Sequence, residues 1–220
     1  LLKEQGDFEN RPDEIYYAIK KAKNSLSDPE KYFLSQKMSY AQRERYLELF
    51  NLYNYRLKQL NVVDFEDLIL LCIRLFEDHP DVLEKYQNWF RYVLIDEYQD
   101  TNYAQYRWAR LLAAKHQNIF VVGDPDQSIY SWRGAEPYNI KRFLDDYPQV
   151  KIIKLEQNYR STEVILQAAN AVIQYNEDRE EKTLFTNKPG GDKIVHFCAG
   201  DSFQEAAFVA DTIQDLVAHD

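Results

Sequence analysis

The stretch Tyr92-Val93-Leu94-Ile95-Asp96-Glu97-Tyr98-Gln99-Asp100-Thr101 decides the fold. Its first four residues are apolar and β-prone, and they run without interruption into two acids. Such a short run marks a buried strand of a parallel sheet. Two adjacent carboxylates at its carboxyl end stand where open α/β sheets place their ligands. The chemistry open to the pair is metal binding by Asp96 and orientation or activation of an attacking water by Glu97. Taken alone, the pair also fits a strand that simply ends in solvent, because short motifs match often by chance. The segments around it decide.

Downstream, strands and helices alternate. Asn102–Ala114 has a helical pattern, Ile119–Val122 a strand pattern, and Glu136–Tyr147 a helix stopped by Pro148. Val150–Leu155 and Lys193–Cys198 are expected as a third and a fourth strand. Between them lie a helix over Ser161–Tyr175 and a turn at Pro189-Gly190-Gly191. Ser202–Glu205 has the form of a capping box opening a last helix. Alternation of this kind predicts a parallel α/β sheet. Upstream the pattern is helical throughout. Pro12-Asp13-Glu14 and Asp28-Pro29-Glu30 are helix starts, with proline in the first turn and acids near the positive end of the dipole. Over Ser39–Leu60, the residues Tyr46, Leu47, Phe50, Tyr53, Leu57 and Leu60 recur at helical spacing, as the core of a small helical unit would. Asp64 is the expected N-cap of a helix running to Phe76, and His79-Pro80-Asp81 starts another that ends at Trp89.

Two more strand ends carry chemistry. The first is Gly123-Asp124-Pro125-Asp126-Gln127-Ser128-Ile129-Tyr130-Ser131-Trp132-Arg133-Gly134-Ala135. Gly123 allows a sharp exit from the strand. Gln127 is neutral and both donates and accepts hydrogen bonds, so it suits a γ-phosphate and its attacking water. Tyr130, Trp132 and Arg133 combine two aromatic rings with a guanidinium on a polar loop, as base stacking and phosphate pairing require. The alternative is that both rings pack beneath the loop. The second strand end is Leu155-Glu156-Gln157-Asn158-Tyr159-Arg160-Ser161-Thr162. A guanidinium at a helix start is unfavourable beside the dipole, which points to a functional role for Arg160 as a bidentate phosphate ligand.

Composition sets the limits. The chain has 220 residues, room for one large or two small domains, and is 45% hydrophobic with 17 Tyr and 12 Phe against one Met. Its net charge of −9 argues against a nucleic-acid binder working by bulk charge. The charge is uneven. Arg11–Leu60 holds ten Lys/Arg and six Asp/Glu, a local +4 that leaves −13 elsewhere. A mildly basic helical segment on an acidic body can still touch phosphates, or it can be an ordinary solvated surface. Cys72 and Cys198 stand far apart in apolar stretches, as two core thiols of a reduced, cytoplasmic protein would. The four histidines form no ligand pattern. No apolar run reaches membrane-spanning length, so no membrane partner is expected. Leu1 in place of an initiator methionine reads as the interior of a longer chain.

DEYQDTN, VVGDPDQSIYSWRGA and LEQNYRST, in this order and spacing, resemble three motifs of the superfamily 1 DNA helicases of the UvrD/Rep/PcrA kind. The likeness covers most of Asp64–Val217. Val63-Asp64-Phe65-Glu66-Asp67-Leu68 also resembles the stretch where that family's helical insert rejoins the first motor domain. The resemblance implies an α/β, RecA-like parallel-sheet motor domain segment with an α-helical insert and the start of a second RecA-like lobe. The implied limits are 1–63 for the insert, 64–155 for the end of the first lobe and 156–220 for the start of the second. It implies ATP and Mg²⁺ as cofactors, with Asp96 on the metal, Glu97 activating water and Gln127 sensing the γ-phosphate. Tyr159 would stack on adenine and Arg160 would reach the γ-phosphate as an arginine finger. Tyr130, Trp132, Arg133 and Phe65 would line the path of DNA, with single-stranded and duplex-junction DNA as the partner. Family members step 3′ to 5′ along one strand.

One departure stands out. The sequence contains no G-x-x-x-x-G-K-[ST] and no Gly-Lys pair. The phosphate-cradling loop is therefore expected upstream of Leu1 and the late motifs beyond Asp220, and the piece alone is expected to be inactive. The helicase subunit of a recombination nuclease is a rival within the class. An ATPase-dead DNA-binding or interaction protein of the same fold is a rival outside it. The choice among repair, replication and recombination stays open.

Overall fold

The computed structural model describes residues 12–176 and 182–219. Residues 1–11, the opening of the expected insert, lie outside the described residues, as does the side chain of Arg133. The chain divides into two compact units, Leu1–Val150 and Lys151–Asp220.

The first unit begins with helices whose ends the sequence dictates. Helix α1, Pro12–Asn24, has proline at its start, Asp13 and Glu14 in its first turn and Lys21 and Lys23 in its last, all matched to the dipole. Helix α2, Pro29–Ser35, is capped by the Asp28 side chain, which accepts from the Lys31 N–H. Helix α3, Tyr40–Leu60, opens with a reciprocal capping box between Ser39 and Gln42 and closes on Asn61 in the left-handed conformation. Its apolar stripe meets α1 and α2. Ile15, Ile19 and Leu49 form the core of this part, packed by Tyr46, Phe50 and Tyr53, and the buried Phe33 meets the rings of Tyr46 and Phe50 edge-on. The stripe does not continue to the helix end: Leu57 is only half-buried and Leu60 is exposed.

Helix α4, Phe65–Asp78, is capped by Asp64 as its sequence predicts. It packs against α1, against α5, Pro80–Trp89, and against α6, Tyr103–Ala113. Strands β1, Val93–Ile95, and β2, Ile119–Val121, pair in parallel, with Val93 opposite Ile119, Leu94 opposite Phe120 and Ile95 opposite Val121. Helix α6 is the crossover between them. Ile95, Ile119 and Val121 turn to a core built on Tyr98, Tyr106 and Phe143, the last from α7, Tyr138–Asp146. Leu94 and Phe120 turn the other way and are exposed. The expectation of a fully buried strand thus gives way to one covered on a single face, because α6 and α7 supply packing on one side only.

The second unit holds α8, Glu163–Ile173, and α9, Ser202–His219. Gln157 and Phe185 form an isolated parallel bridge, fastened by Asn158 N–H to Phe185 C=O and Phe185 N–H to Glu156 C=O. The strands expected at Val150–Leu155 and Lys193–Cys198 do not form. A strand exists only through its ladder, and here Ile152, Ile153, Leu155, Ile194 and Val195 remain exposed and unpaired into any sheet among the described residues. The cap of α9 is Asp201 rather than Ser202. Asp201 Oδ1 accepts from Gln204 N–H, and Gln204 reaches back to Gly200 N–H. Cys72 is half-buried and Cys198 exposed, so neither is a core thiol. Among the described residues, no helix is long and apolar enough to cross a membrane.

Candidate nucleotide and nucleic-acid site

The carboxyl ends of β1 and β2 release two loops side by side. Val122 N–H donates to Ile95 C=O at 2.8 Å, and Tyr98 N–H donates to Val122 C=O at 2.9 Å, so backbone bonding continues past the strands. Asp96 and Glu97 leave β1 exposed to solvent. Asp96 Oδ1 accepts from the Glu97 N–H at 2.9 Å. Glu97 sits in the left-handed conformation with φ 49°, a conformation disfavoured for a residue with a β-carbon and typical of functional turns. That kink sends the chain into a 3₁₀ turn, Tyr98–Asp100, whose first two side chains are buried.

The loop after β2 comes within contact of this turn because Gly123 has no side chain. A β-carbon there would lie 2.7 Å from Gln99 Oε1 and 3.1 Å from the Tyr98 nitrogen. Close approach to Gln99 and Tyr98 is what the position requires. Gln99 is 3% exposed. Its Nε2 donates to Glu97 Oε2 at 2.8 Å, and its Oε1 accepts from Asp124 N–H at 2.9 Å. Asp124 caps the short turn Pro125–Gln127 and accepts from Gln127 Nε2 at 2.7 Å. Gln127 is exposed. Ser128 Oγ donates to the Gln99 carbonyl at 3.3 Å.

The same loop then makes a second 3₁₀ turn, Ser131–Arg133, which Gly134 ends at φ 95°. Trp132 is 58% exposed, with its ring centroid 6.3 Å from that of half-buried Tyr130. Trp132 is therefore a surface residue, against the alternative that it packs beneath the loop. The far end of the loop is fastened too. Glu136 N–H donates to Thr101 C=O at 2.9 Å. Asn139, 0% exposed, donates from Nδ2 to the carbonyls of Thr101 and Asn102. Phe65, the first residue of α4, projects into solvent at 80% exposure. The structure brings Asp96, Glu97, Gln127, Tyr130 and Trp132 onto two neighbouring loops, whereas Phe65 stands at a separate helix start.

In the second unit, Asn158 Oδ1 accepts from the N–H groups of both Arg160 and Ser161, at 2.9 and 2.7 Å. This Asx turn presents Tyr159 and Arg160 to solvent. The Tyr159 hydroxyl donates to Gln157 Oε1 at 3.0 Å.

Sequence reasoning passed over Gln99 and Asn139, and it placed Lys23 on the packed face of α1 without its partners. Lys23 is 3% exposed and pairs with Asp64 and Asp67. A basic residue inside the apolar spacing of α1 was the available signal for it. Nothing in the spacing of Gln99 or Asn139 distinguishes them from surface amides.

Comparison with known proteins matches the sequence to one class. The description "UvrD/REP helicase N-terminal domain" fits residues 2–148, and "UvrD-like helicase C-terminal domain" fits residues 153–220. The chain belongs to the UvrD/Rep helicase family. Among individual relatives it is 47% identical over 205 residues to the ATP-dependent DNA helicase PcrA of Leuconostoc citreum, covering 93% of this chain and 27% of that protein. It is 45% identical over 205 residues to PcrA of Bacillus subtilis, covering 93% and 28%. Identity to PcrA of Staphylococcus aureus is 51% over 167 residues, covering 76% and 22%. The chain thus spans about a quarter of the length of these curated relatives.

Proposed function

We propose that the chain is the central portion of an ATP-driven DNA helicase that steps 3′ to 5′ on single-stranded DNA. In this reading residues 1–63 are the helical insert, 64–155 close the first RecA-like lobe and 156–220 open the second. The observation that supports it most is the pairing of two loops at the carboxyl ends of β1 and β2. One carries Asp96 and Glu97, and the other carries Gln127 and, five residues on, the exposed Trp132.

Asp96 suits Mg²⁺, which is held by one or two carboxylates together with substrate phosphates. Its carboxylate is exposed at the strand end, with Oδ1 steadied by a backbone N–H. The ion supplies charge neutralisation on the phosphates. Glu97 orients the attacking water and accepts its proton. Gln127 meets the γ-phosphate with its amide. Tyr159 stacks on the adenine, and Arg160 offsets charge developing on the transferred phosphoryl group. Tyr130, Trp132 and Arg133 contact the bases and backbone of the strand, with Phe65 as a further stacking position. Because the sequence has no phosphate-cradling loop, the 220-residue chain by itself is expected to turn over no ATP. The test is made on the full-length protein, by measuring ATP hydrolysis with and without single-stranded DNA and unwinding of 3′-tailed against 5′-tailed duplexes. DNA-independent turnover, or unwinding only from a 5′ tail, would overturn this reading.

A further inference from the structure

The buried side chain of Gln99 touches both candidate loops. It bonds the carboxylate of Glu97 through Nε2 and the backbone of Asp124 through Oε1, while its own carbonyl accepts from Ser128. Asp124 in turn holds Gln127. The result is a continuous polar chain, Glu97 to Gln99 to Asp124 to Gln127, running from the water-activating acid to the phosphate-sensing amide. An amide suits the middle position because it donates at one end and accepts at the other. Glu97 is ionised when it acts as a base and offers only acceptors, whereas Asp124 N–H is only a donor. A carboxylate at 99 would repel the first, and a cation could not accept from the second. Burial strengthens both bonds and limits the rotamers open to the side chain.

From this geometry we infer that Gln99 is a positioning residue. It holds the Glu97 carboxylate in register with the loop bearing Gln127, Tyr130 and Trp132, so that movement of the DNA-contacting loop resets the hydrolytic acid. The inference rests on the function proposed above and adds to it a residue that itself touches neither ATP nor DNA. The left-handed backbone at Glu97 is consistent with the role. A residue in that conformation is held by its surroundings, and the amide of Gln99 is the side-chain partner that fixes its carboxylate.

The test uses the full-length protein and four forms: wild type, Glu97→Gln, Gln99→Met and the double variant Glu97→Gln/Gln99→Met. Methionine keeps the volume of the side chain and removes both bonds. Turnover in Gln99→Met is expected to fall roughly 10- to 100-fold, the scale of a misplaced reacting group. KM for ATP and affinity for a labelled oligo-dT are expected to stay within about twofold, since Gln99 is buried and offers almost no surface to either ligand. The double variant is expected to be no slower than Glu97→Gln alone, because two residues acting through one group are not additive. Gln99→Glu, which retains the acceptor toward Asp124 but faces Glu97 with a like charge, is expected to be impaired at least as strongly as Gln99→Met. Full additivity in the double variant, normal turnover in Gln99→Met, or a parallel loss of ATP affinity, DNA affinity and melting temperature would each overturn the positioning role. Normal turnover in Glu97→Gln would instead overturn the assignment of Glu97 itself, so the two failures are distinguishable.

Discussion

Lys23 Nζ lies 2.7 Å from Asp64 Oδ2, joining α1 to the cap of α4 across 41 residues of sequence. The same ammonium is 2.8 Å from Asp67 Oδ1, and it sits over the Tyr53 ring. One buried cation therefore ties three helices together beside Phe65. Replacing it with methionine leaves two carboxylates facing each other without a counter-charge. Loss of one partner from a buried pair costs about 3–5 kcal/mol. Lys23→Met is expected to lower the stability of the chain by that amount in urea titration, and an unchanged midpoint would refute it.

This cluster also sets an acid limit. Burial pushes the Asp64 carboxyl up, but hydrogen bonds from Lys23 and the Asp67 backbone, the Lys23 charge and the Tyr53 hydroxyl together hold it below its ordinary value of 3.8. A carboxyl lowered in the folded state contributes stability above its unfolded value and loses it as pH falls through the folded one. The contribution is therefore full at neutral pH and disappears as pH drops below 3.8. Asp64→Asn is expected to flatten the acid limb of stability against pH, measured by thermal melting. A limb of unchanged slope would exclude Asp64 as its source.

At Gly123 the added β-carbon of alanine would meet Gln99 Oε1 and the Tyr98 backbone. Overpacking of this kind costs about 1–3 kcal/mol. Gly123→Ala should melt lower than wild type by a corresponding margin, while Gly190→Ala, where no atom stands in the way of a β-carbon, meets no such clash and is opposed only by its positive φ.

Hydrolysis is expected to depend on Glu97 and Arg160 in different ways. In the full-length protein, Glu97→Gln should bind ATP normally and turn it over roughly 10²–10⁴-fold more slowly. Arg160→Ala should lose roughly 10³–10⁵-fold in turnover, with a much smaller change in ATP affinity. A variant of Arg160 that altered affinity alone would reassign it as a binding residue.

For Trp132 the exposure of the ring makes the prediction sharp. Trp132→Ala should weaken binding of single-stranded DNA by the full-length protein by about 1–3 kcal/mol. The melting of the chain should shift little, because surface substitutions change stability by only about 0.5 kcal/mol. A large melting loss with unchanged DNA affinity would return the ring to a packing role.

Legibility in the sequence followed the range of the interaction. Helix starts at Asp28, Ser39 and Asp64 were readable because a cap involves residues three apart, and that at Pro12 because proline and two acids mark a first turn. The pair β1 and β2 was readable because each is a compact apolar run followed by a chemical signature. The segments 150–155 and 193–198 carry the same apolar signal and yet form no ladder, since a run of residues states its preference but not its partner. Gln99 and Asn139 were invisible for the same reason, and so were the partners of Lys23: each acts on a group fixed only by folding, as Asn139 does on Thr101 and Asn102. The site loops could be placed beside one another only on the condition that their strands are neighbours, which the pairing of β1 with β2 meets. The bond network between them could not, because it depends on a close approach at a single glycine.

The loop from Gly123 to Ala135 is tethered at both ends, to Gln99 on entry and to Thr101 through Glu136 on exit. Surface loops ordinarily accept extra residues at small cost. This one spans a fixed gap between two anchors only two residues apart in the chain, so its residue count acts as a ruler. One added residue would move Trp132 without moving Gln127, and lengthening the loop would change the gearing between its two ends while leaving every side chain intact.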